Sequence, residues 1–183
     1  MPFNDYEVRG ETTAFFIVRR NGDVHEVLID TEDLPSLIEL GRRWCYNPVG
    51  GGYAQNTYYS GTINGKEKYK TIQLHRFILD FPFGKVVDHI NRCTLDNRKT
   101  NLRACAQKEN LQNYRGAFKN NKSGIRGVTL DKEKGKWRAL VQVDCKMHHL
   151  GYFLDKQEAE KVVTKFRREH MPYSQMDQGE QAI

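Results

Sequence analysis

The dipeptide Asn21-Gly22 lies between two segments rich in apolar and β-branched residues, and this feature most limits the fold. Asn-Gly is the strongest short-range signal for a tight turn between antiparallel strands. The flanking segments, residues 13–20 and 24–30, are each long enough for one strand of a hairpin. The chain is therefore expected to begin with antiparallel β-structure.

More short elements follow this hairpin. Thr31 to Asp33 is expected to open a short helix, in whose first turn Pro35 is tolerated. Three further strands are predicted around glycine-rich turns, at residues 44–46, 52–60 and 66–73. We interpret residues 1–70 as a small accessory β-rich domain.

A second pattern, near the C-terminus, predicts a three-stranded sheet packed on one helix. The strands are expected at residues 125–130, 136–143 and 147–153. In the middle strand apolar residues from Trp137 to Val143 alternate with Arg138, Leu140 and Gln142. The helix is expected to begin at Asp155, an N-cap residue, and to carry an apolar stripe. The sheet would bury its Trp137 face and leave Arg126, Arg138 and Gln142 exposed.

Charge is distributed unevenly along the chain. The 29 Lys and Arg exceed the 23 Asp and Glu, for a net charge of +6. Residues 1–43 carry nine acidic and five basic side chains, whereas residues 98–138 carry twelve basic and three acidic ones. Such a basic segment favours a polyanion as partner, and nucleic acid is the common one. No run of about 20 apolar residues is present, which excludes a helical membrane protein.

The four cysteines form no C-x-x-C pair, so neither a zinc knuckle nor a disulfide framework is indicated. We expect reduced thiols and a cytoplasmic location, in a bacterial or phage-infected cell.

Four polar residues suggest a site for chemistry. Asp88 and His89 are adjacent at the end of a predicted strand, residues 86–91, so the two side chains point in different directions. Asn101 begins the predicted return strand and can accept the His89 N–H, fixing its tautomer. Asn110 lies on the next helix, residues 107–114, where its amide oxygen can meet Asp88. Two hard oxygen ligands suit one Mg²⁺ or Mn²⁺ better than Zn²⁺.

The segment 74–114 resembles the HNH endonuclease family in its ββα-metal form, and most closely its phage and intron homing branch. The resemblance rests on D-H-I-N, then D-N-R-x-x-N-L-R, then E-N-x-x-N. It implies that His89 is the general base, that Asn101 orients it, and that Asp88 and Asn110 hold the metal. Many members have His where this chain has Asn110. Further candidates are Asn113, as an alternative ligand, and His75, either at the scissile site or structural.

The segment 123–168 resembles the AP2 DNA-binding domain, in which a three-stranded sheet packs on a helix and enters the major groove. The resemblance rests on S-G-I-R-G-V, G-K-W, H-L-G-Y-F and the helix with Glu158-Ala159. It implies that the DNA-facing residues are Arg126, Arg138, Gln142 and His149. Met147 and His149 depart from the Arg and Trp of plant members. Lys119 and Lys122 of the basic linker are expected to follow the DNA backbone.

The predicted fold class is α+β, in five parts. These are an accessory β-rich domain (1–70), an HNH ββα-metal domain (71–114), a basic linker (115–122), an AP2-like domain (123–170) and a flexible tail (171–183). The expected activity is metal-dependent hydrolysis of double-stranded DNA, with homing favoured over a restriction or packaging role. A non-catalytic DNA-binding regulator is the alternative, against which the intact set of four site residues argues. Both a nicking monomer and a homodimer on DNA remain open.

Overall fold

The computed structural model describes residues 3–114, 116–117 and 120–177. The chain divides into two compact units, Met1–Cys105 and Ala106–Ile183. The protein is α+β, as expected, with small antiparallel sheets and few helices. The finer five-part division stays a prediction.

The predicted N-terminal hairpin forms the first sheet of the first unit. Its antiparallel strands are β1 (Tyr6–Arg9), β2 (Thr12–Val18) and β3 (Val24–Asp30). In the turn, Gly22 has φ +88° and the Asn21 side chain accepts the Asp23 N–H, which are the roles Asn-Gly predicts. After a 3₁₀ turn (Thr31–Asp33), helix α1 (Leu34–Glu39) adds its Leu37 to the core beside Phe15.

A second antiparallel sheet and a short helix complete this core. The strands, ordered as in the chain, are β4 (Cys45–Asn47), β5 (Tyr53–Ile63) and β6 (Lys66–Gln73). Helix α2 (Leu74–Ile78) follows directly. Trp44 and Leu74 are buried in the same cluster as Phe15, and Leu95 packs against that cluster. A single apolar core therefore connects the first sheet to residues beyond position 70.

The last element of the first unit is a two-stranded antiparallel hairpin. It pairs β7 (Val86–His89) with β8 (Leu102–Cys105), close to the strands predicted there. Residues 90–101 connect the two strands and end in a 3₁₀ turn (Lys99–Asn101).

The second unit begins with helix α3 (Gln107–Asn110), which gives way to a 3₁₀ turn (Leu111–Asn113). The predicted helix 107–114 is thus shorter than expected. The predicted sheet follows, with strands β9 (Val128–Asp131), β10 (Lys136–Val143) and β11 (Lys146–Phe153), and helix α4 (Lys156–His170). Asp155 caps α4, accepting the Gln157 N–H at 3.0 Å.

The predicted core face of β10 is confirmed. Trp137, Ala139 and Val141 pack in one apolar cluster with Ala159 and Val163 of α4. Strand β9, in contrast, begins three residues later than predicted. The Ser123 hydroxyl donates towards the carbonyls of Ile125 and Val128, which folds the preceding residues into a turn.

The segment Met171–Asp177, expected to be part of a flexible tail, packs on the second unit. Asp177 and Arg167 of α4 form a buried ion pair with both residues at most 3% exposed. Arg167 donates from Nε and Nη2 to the two carboxylate oxygens, each at 2.8 Å. The pairing supplies the buried guanidinium with its counter-charge, and this fixes the segment.

Candidate functional site

Strand β7 ends in the two residues expected at its tip, and both are buried. Asp88 is 7% exposed and His89 is 4% exposed. Arg103 lies directly opposite Asp88 on β8, and residues opposite each other share a face. The Arg103 Nε and Nη2 donate to the Asp88 Oδ2 at 2.8 and 2.5 Å. The two contacts form a partly buried ion pair between Arg103 and Asp88.

Two rings from distant parts of the first unit contact the His89 ring. His75 of α2 is 5.2 Å from His89 between ring centroids, at an edge-to-face angle of 80°. Tyr53, the first residue of β5, lies 5.2 Å from His75 and 5.9 Å from His89. His75 was a sequence candidate, whereas Tyr53 was not, and no local pattern marks it.

Both imidazoles of this group are neutral at neutral pH. Burial, together with the nearby His89 and Arg76, lowers the pKa of His75 to about 3. Burial also lowers the pKa of His89, although Asn97, Asp88 and Asp96 oppose this shift. For Tyr53, burial and the Asp88 charge raise the pKa. A neutral His89 carries the lone pair that a base requires.

The side-chain oxygen expected next to His89 comes from a different asparagine. His89 Nε2 lies 3.4 Å from Oδ1 of Asn97, a long contact for a hydrogen bond. Asn101 instead accepts the Asn91 N–H at 2.8 Å and donates to the Asp96 carbonyl at 2.7 Å. Asn101 therefore shapes the 90–101 connection, and Asn97 is fully buried beside the imidazole. The D-N-R run at residues 96–98 marks Asn97 in the sequence, but its spacing from His89 does not distinguish it from Asn101.

The first sheet fixes the connection that carries Asn97. Leu28 of β3 donates its N–H to the Leu95 carbonyl and accepts the Asn97 N–H, at 2.9 and 2.7 Å. The Lys99 N–H reaches the Asp30 carboxylate, and its ammonium group pairs with Asp33 at 2.7 Å. The N-terminal strands thus position the residues around His89.

In the second unit, the structure gives Asn110 and Asn113 different settings. Asn110 is the last residue of α3. Asn113 is 5% exposed, and its Oδ1 accepts the Gln175 N–H at 3.4 Å. This contact gives Asn113 a role in holding the C-terminal segment.

Three of the predicted DNA-facing residues share the sheet face turned away from α4. Arg138, Leu140 and Gln142 alternate along β10 and therefore lie on one face. His149 is opposite Leu140 on β11 and shares that face. Gln142 and His149 are exposed, whereas Arg138 is half-buried and its buried Nε has no hydrogen-bond partner among the described residues. Lys122 is exposed, whereas Lys119 falls outside the described residues.

Arg126 differs from its predicted exposed setting. It precedes β9, and its guanidinium donates to the carbonyls of Leu111, Gln112 and Tyr114 at 2.8–3.2 Å. The turn at Ser123 removes Arg126 from the strand register that would have placed it on the sheet face. Its described contacts connect the 3₁₀ turn to the sheet.

The donor chemistry around Asp88 fits a divalent cation. Among the described residues, no three His, Cys, Asp or Glu side chains form a metal-binding group. The side chains that lie together here are the Asp88 carboxylate, which is next to His89 in the chain, and the imidazoles of His75 and His89. Mg²⁺ is commonly held by one or two carboxylates, with water and substrate phosphates completing its shell.

Comparison with known proteins supports the sequence pattern. Residues 80–112 match the model of the HNH endonuclease family. Protein 3.8 of Escherichia phage T7 is 33% identical over 89 residues, which cover 46% of this chain and 73% of that protein. No solved structure matches the chain significantly. In the described residues we find no helix with the length and apolar character needed to cross a membrane. The chain therefore belongs to the family of phage T7 protein 3.8, and its residues 80–112 carry the sequence pattern of the HNH endonucleases.

Proposed function

We propose that this protein is a DNA endonuclease that hydrolyses phosphodiester bonds with one Mg²⁺ or Mn²⁺ per active site. The observation that carries the proposal is the end of β7. There, within the segment that matches the HNH family, a buried carboxylate and a buried neutral imidazole are adjacent. Duplex DNA is the proposed substrate, in line with the basic middle of the chain.

Each residue of the proposed active site has a distinct proposed task. His89 takes a proton from the attacking water, and the packing of its ring against His75 and Tyr53 limits its rotation. The Asn97 oxygen can accept from Nε2–H of His89, which fixes the tautomer of the imidazole. Asn101 orients His89 through the connection it shapes. Asp88 and Asn110 are the proposed metal ligands, and Asn113 and His75 support the surrounding structure.

A bound cation supplies charge stabilisation for the scissile phosphate and for the leaving oxygen. Arg103 holds the Asp88 carboxylate in place on the hairpin.

The sheet of the second unit is the proposed DNA-reading element, in an AP2-like arrangement. Its three antiparallel strands pack one face on α4 and leave Arg138, Gln142 and His149 on the other. An element of this width fits the major groove, where Arg reads guanine through two hydrogen bonds. A separate reading element gives a long recognition site, which favours a homing endonuclease. Lys119 and Lys122 are proposed backbone contacts.

One observation favours the alternative, a DNA-binding regulator without catalysis. Arg103 already occupies the Oδ2 of Asp88, and a guanidinium at that distance competes with a cation.

Plasmid cleavage separates the two functions. Supercoiled plasmid is incubated with the full chain in Mg²⁺, in Mn²⁺, and in excess EDTA. We expect nicked or linear products with either ion, none in EDTA, and recovery when Mg²⁺ is added back. Binding without cleavage under every metal condition would establish the regulator instead. Cleavage in EDTA would exclude the metal site.

A further inference from the structure

Strands β5 and β6 form a ribbon that extends beyond the core of the first unit. Ala54 and Leu74, near its base, are buried in the core. From residue 57 to residue 71 nearly every side chain is exposed, including Tyr59 and Tyr69 at 54% and 59%. A two-stranded ribbon with both faces in solvent buries little apolar surface. The outer part of the ribbon therefore adds little to the stability of the fold, and its length calls for another role.

One face of this ribbon is basic. Lys66, Lys68 and Lys70 alternate along β6 and therefore point to the same side. Tyr58 pairs with Lys70 across the strands and shares that side. The single acidic residue of β6, Glu67, lies on the opposite face, where it accepts the Tyr69 hydroxyl at 2.7 Å.

The positive charge continues from the ribbon onto the body of the unit. The Arg42 guanidinium lies 3.9 Å from the centroid of the Tyr58 ring. Its neighbour Arg43 accepts the Asn56 side-chain amide at its carbonyl and lines an open cleft of about 400 Å³ together with Arg19 and Arg20. We define the basic strip as these seven side chains: Arg19, Arg20, Arg42, Arg43, Lys66, Lys68 and Lys70.

The acidic residues that dominate positions 1–43 do not neutralise this strip. Glu7 and Glu26 pair with Arg9, and Asp33 pairs with Lys99. Asp23 is the one acidic partner that the strip has in the described residues, and it lies 3.5 Å from Arg19. Residues 1–43, although they carry nine acidic and only five basic side chains, thus contribute four arginines to a positive surface.

We propose that the basic strip binds the phosphate backbone of duplex DNA. Lysines two positions apart on a strand are ~6.7 Å apart, while each DNA strand presents one phosphate per ~3.4 Å of helix axis. Every lysine of the strip can therefore meet alternate phosphates, and a two-stranded ribbon fits the major groove. The choice of DNA as the polyanion rests on the proposed function. The charge of the strip and the spacing of its lysines are independent of that function.

The test compares two double variants of the full chain with equal loss of charge. Lys68→Gln/Lys70→Gln removes two of the ribbon's three lysines, those nearest Tyr58, and Lys161→Gln/Lys165→Gln removes two exposed lysines from α4. Affinity for a labelled duplex is measured by fluorescence anisotropy between 50 and 200 mM salt. EDTA is present throughout, so cleavage does not enter the measurement. Thermal unfolding of each variant verifies its fold.

We expect the slope of log affinity against log salt to fall by about 1–2 for the ribbon variant and to stay unchanged for the α4 variant. Equal slopes for the two variants, or an unchanged slope for the ribbon variant, would overturn the proposal. Tighter binding of a single strand than of the duplex would overturn the choice of duplex. If the ribbon variant unfolds, Arg20→Gln/Arg43→Gln takes its place under the same criteria. Plasmid cleavage with Mg²⁺ is measured separately. If the protein does not cleave DNA, the binding result for the basic strip still stands.

Discussion

The hairpin β7–β8 and the sheet face of β10–β11 treat their polar residues in opposite ways. On the hairpin, Asp88 and His89 are buried and have close polar neighbours. On the sheet, Gln142 and His149 are exposed, and Arg138 is half-buried. Burial sets the protonation state of a group, whereas exposure allows it to meet a partner. The contrast therefore matches a division between chemistry and recognition.

The largest effect is expected from His89→Ala, which tests the chemical side of the contrast. Removal of a general base typically costs 10²- to 10⁴-fold in rate. DNA affinity should stay the same, because His89 is buried. Single-turnover cleavage and anisotropy measure the two quantities. His170→Ala, at the exposed end of α4, is the control, and a similar loss in both variants would reject the assignment.

Asp177→Ala tests whether the reading sheet depends on its buried ion pair. Removing one partner of such a pair costs about 3–5 kcal/mol, since Arg167 stays buried with its charge uncompensated. Hydrogen exchange should become faster in β10 and α4 but not in β2 and β3. The control is Glu169→Ala, an exposed acid on α4. Uniform change across both units would indicate that the pair does not stabilise the second unit selectively.

Arg138→Ala tests the recognition side. Loss of a bidentate contact to guanine costs about 1–3 kcal/mol and relaxes preference at that base. Selection from a randomised duplex library measures this preference, with Lys161→Ala as the matched control. Retention of the full preference by Arg138→Ala would remove Arg138 from base reading and direct attention to the basic strip.

The smallest effect is expected for the contact between the 3₁₀ turn after β3 and the connection that carries Asn97. Lys99 and Asp33 form a partly exposed pair, and such pairs contribute about 0.2–1 kcal/mol. A double-mutant cycle with Lys99→Ala and Asp33→Asn, read by chemical denaturation, measures their coupling. A coupling of zero would leave the backbone bonds at Leu28 as the main attachment.

Local patterns predicted the elements well because they depend on neighbouring residues. The Asn21-Gly22 turn, the alternation along β10 and the Asp155 cap all follow from a few positions in sequence. The surroundings of His89 were harder, because Tyr53 and His75 reach it from other elements. The placement of Arg126 failed for a local reason, since one serine hydroxyl shifted the start of a strand. Pairing of Arg103 with Asp88 follows from a register that sequence spacing alone leaves open.

The hydrogen bond between Lys99 and Asp30 joins residues 69 positions apart. Contacts of such separation are slow to form, because the intervening chain loses entropy before any bond compensates for it. The first sheet consists of neighbouring hairpins and needs no such closure. During synthesis on the ribosome, the sheet can therefore assemble early. The connection around His89 can be fixed only after β3 of that sheet has formed. The rate at which the site forms then depends on strands that contribute no residue to its chemistry.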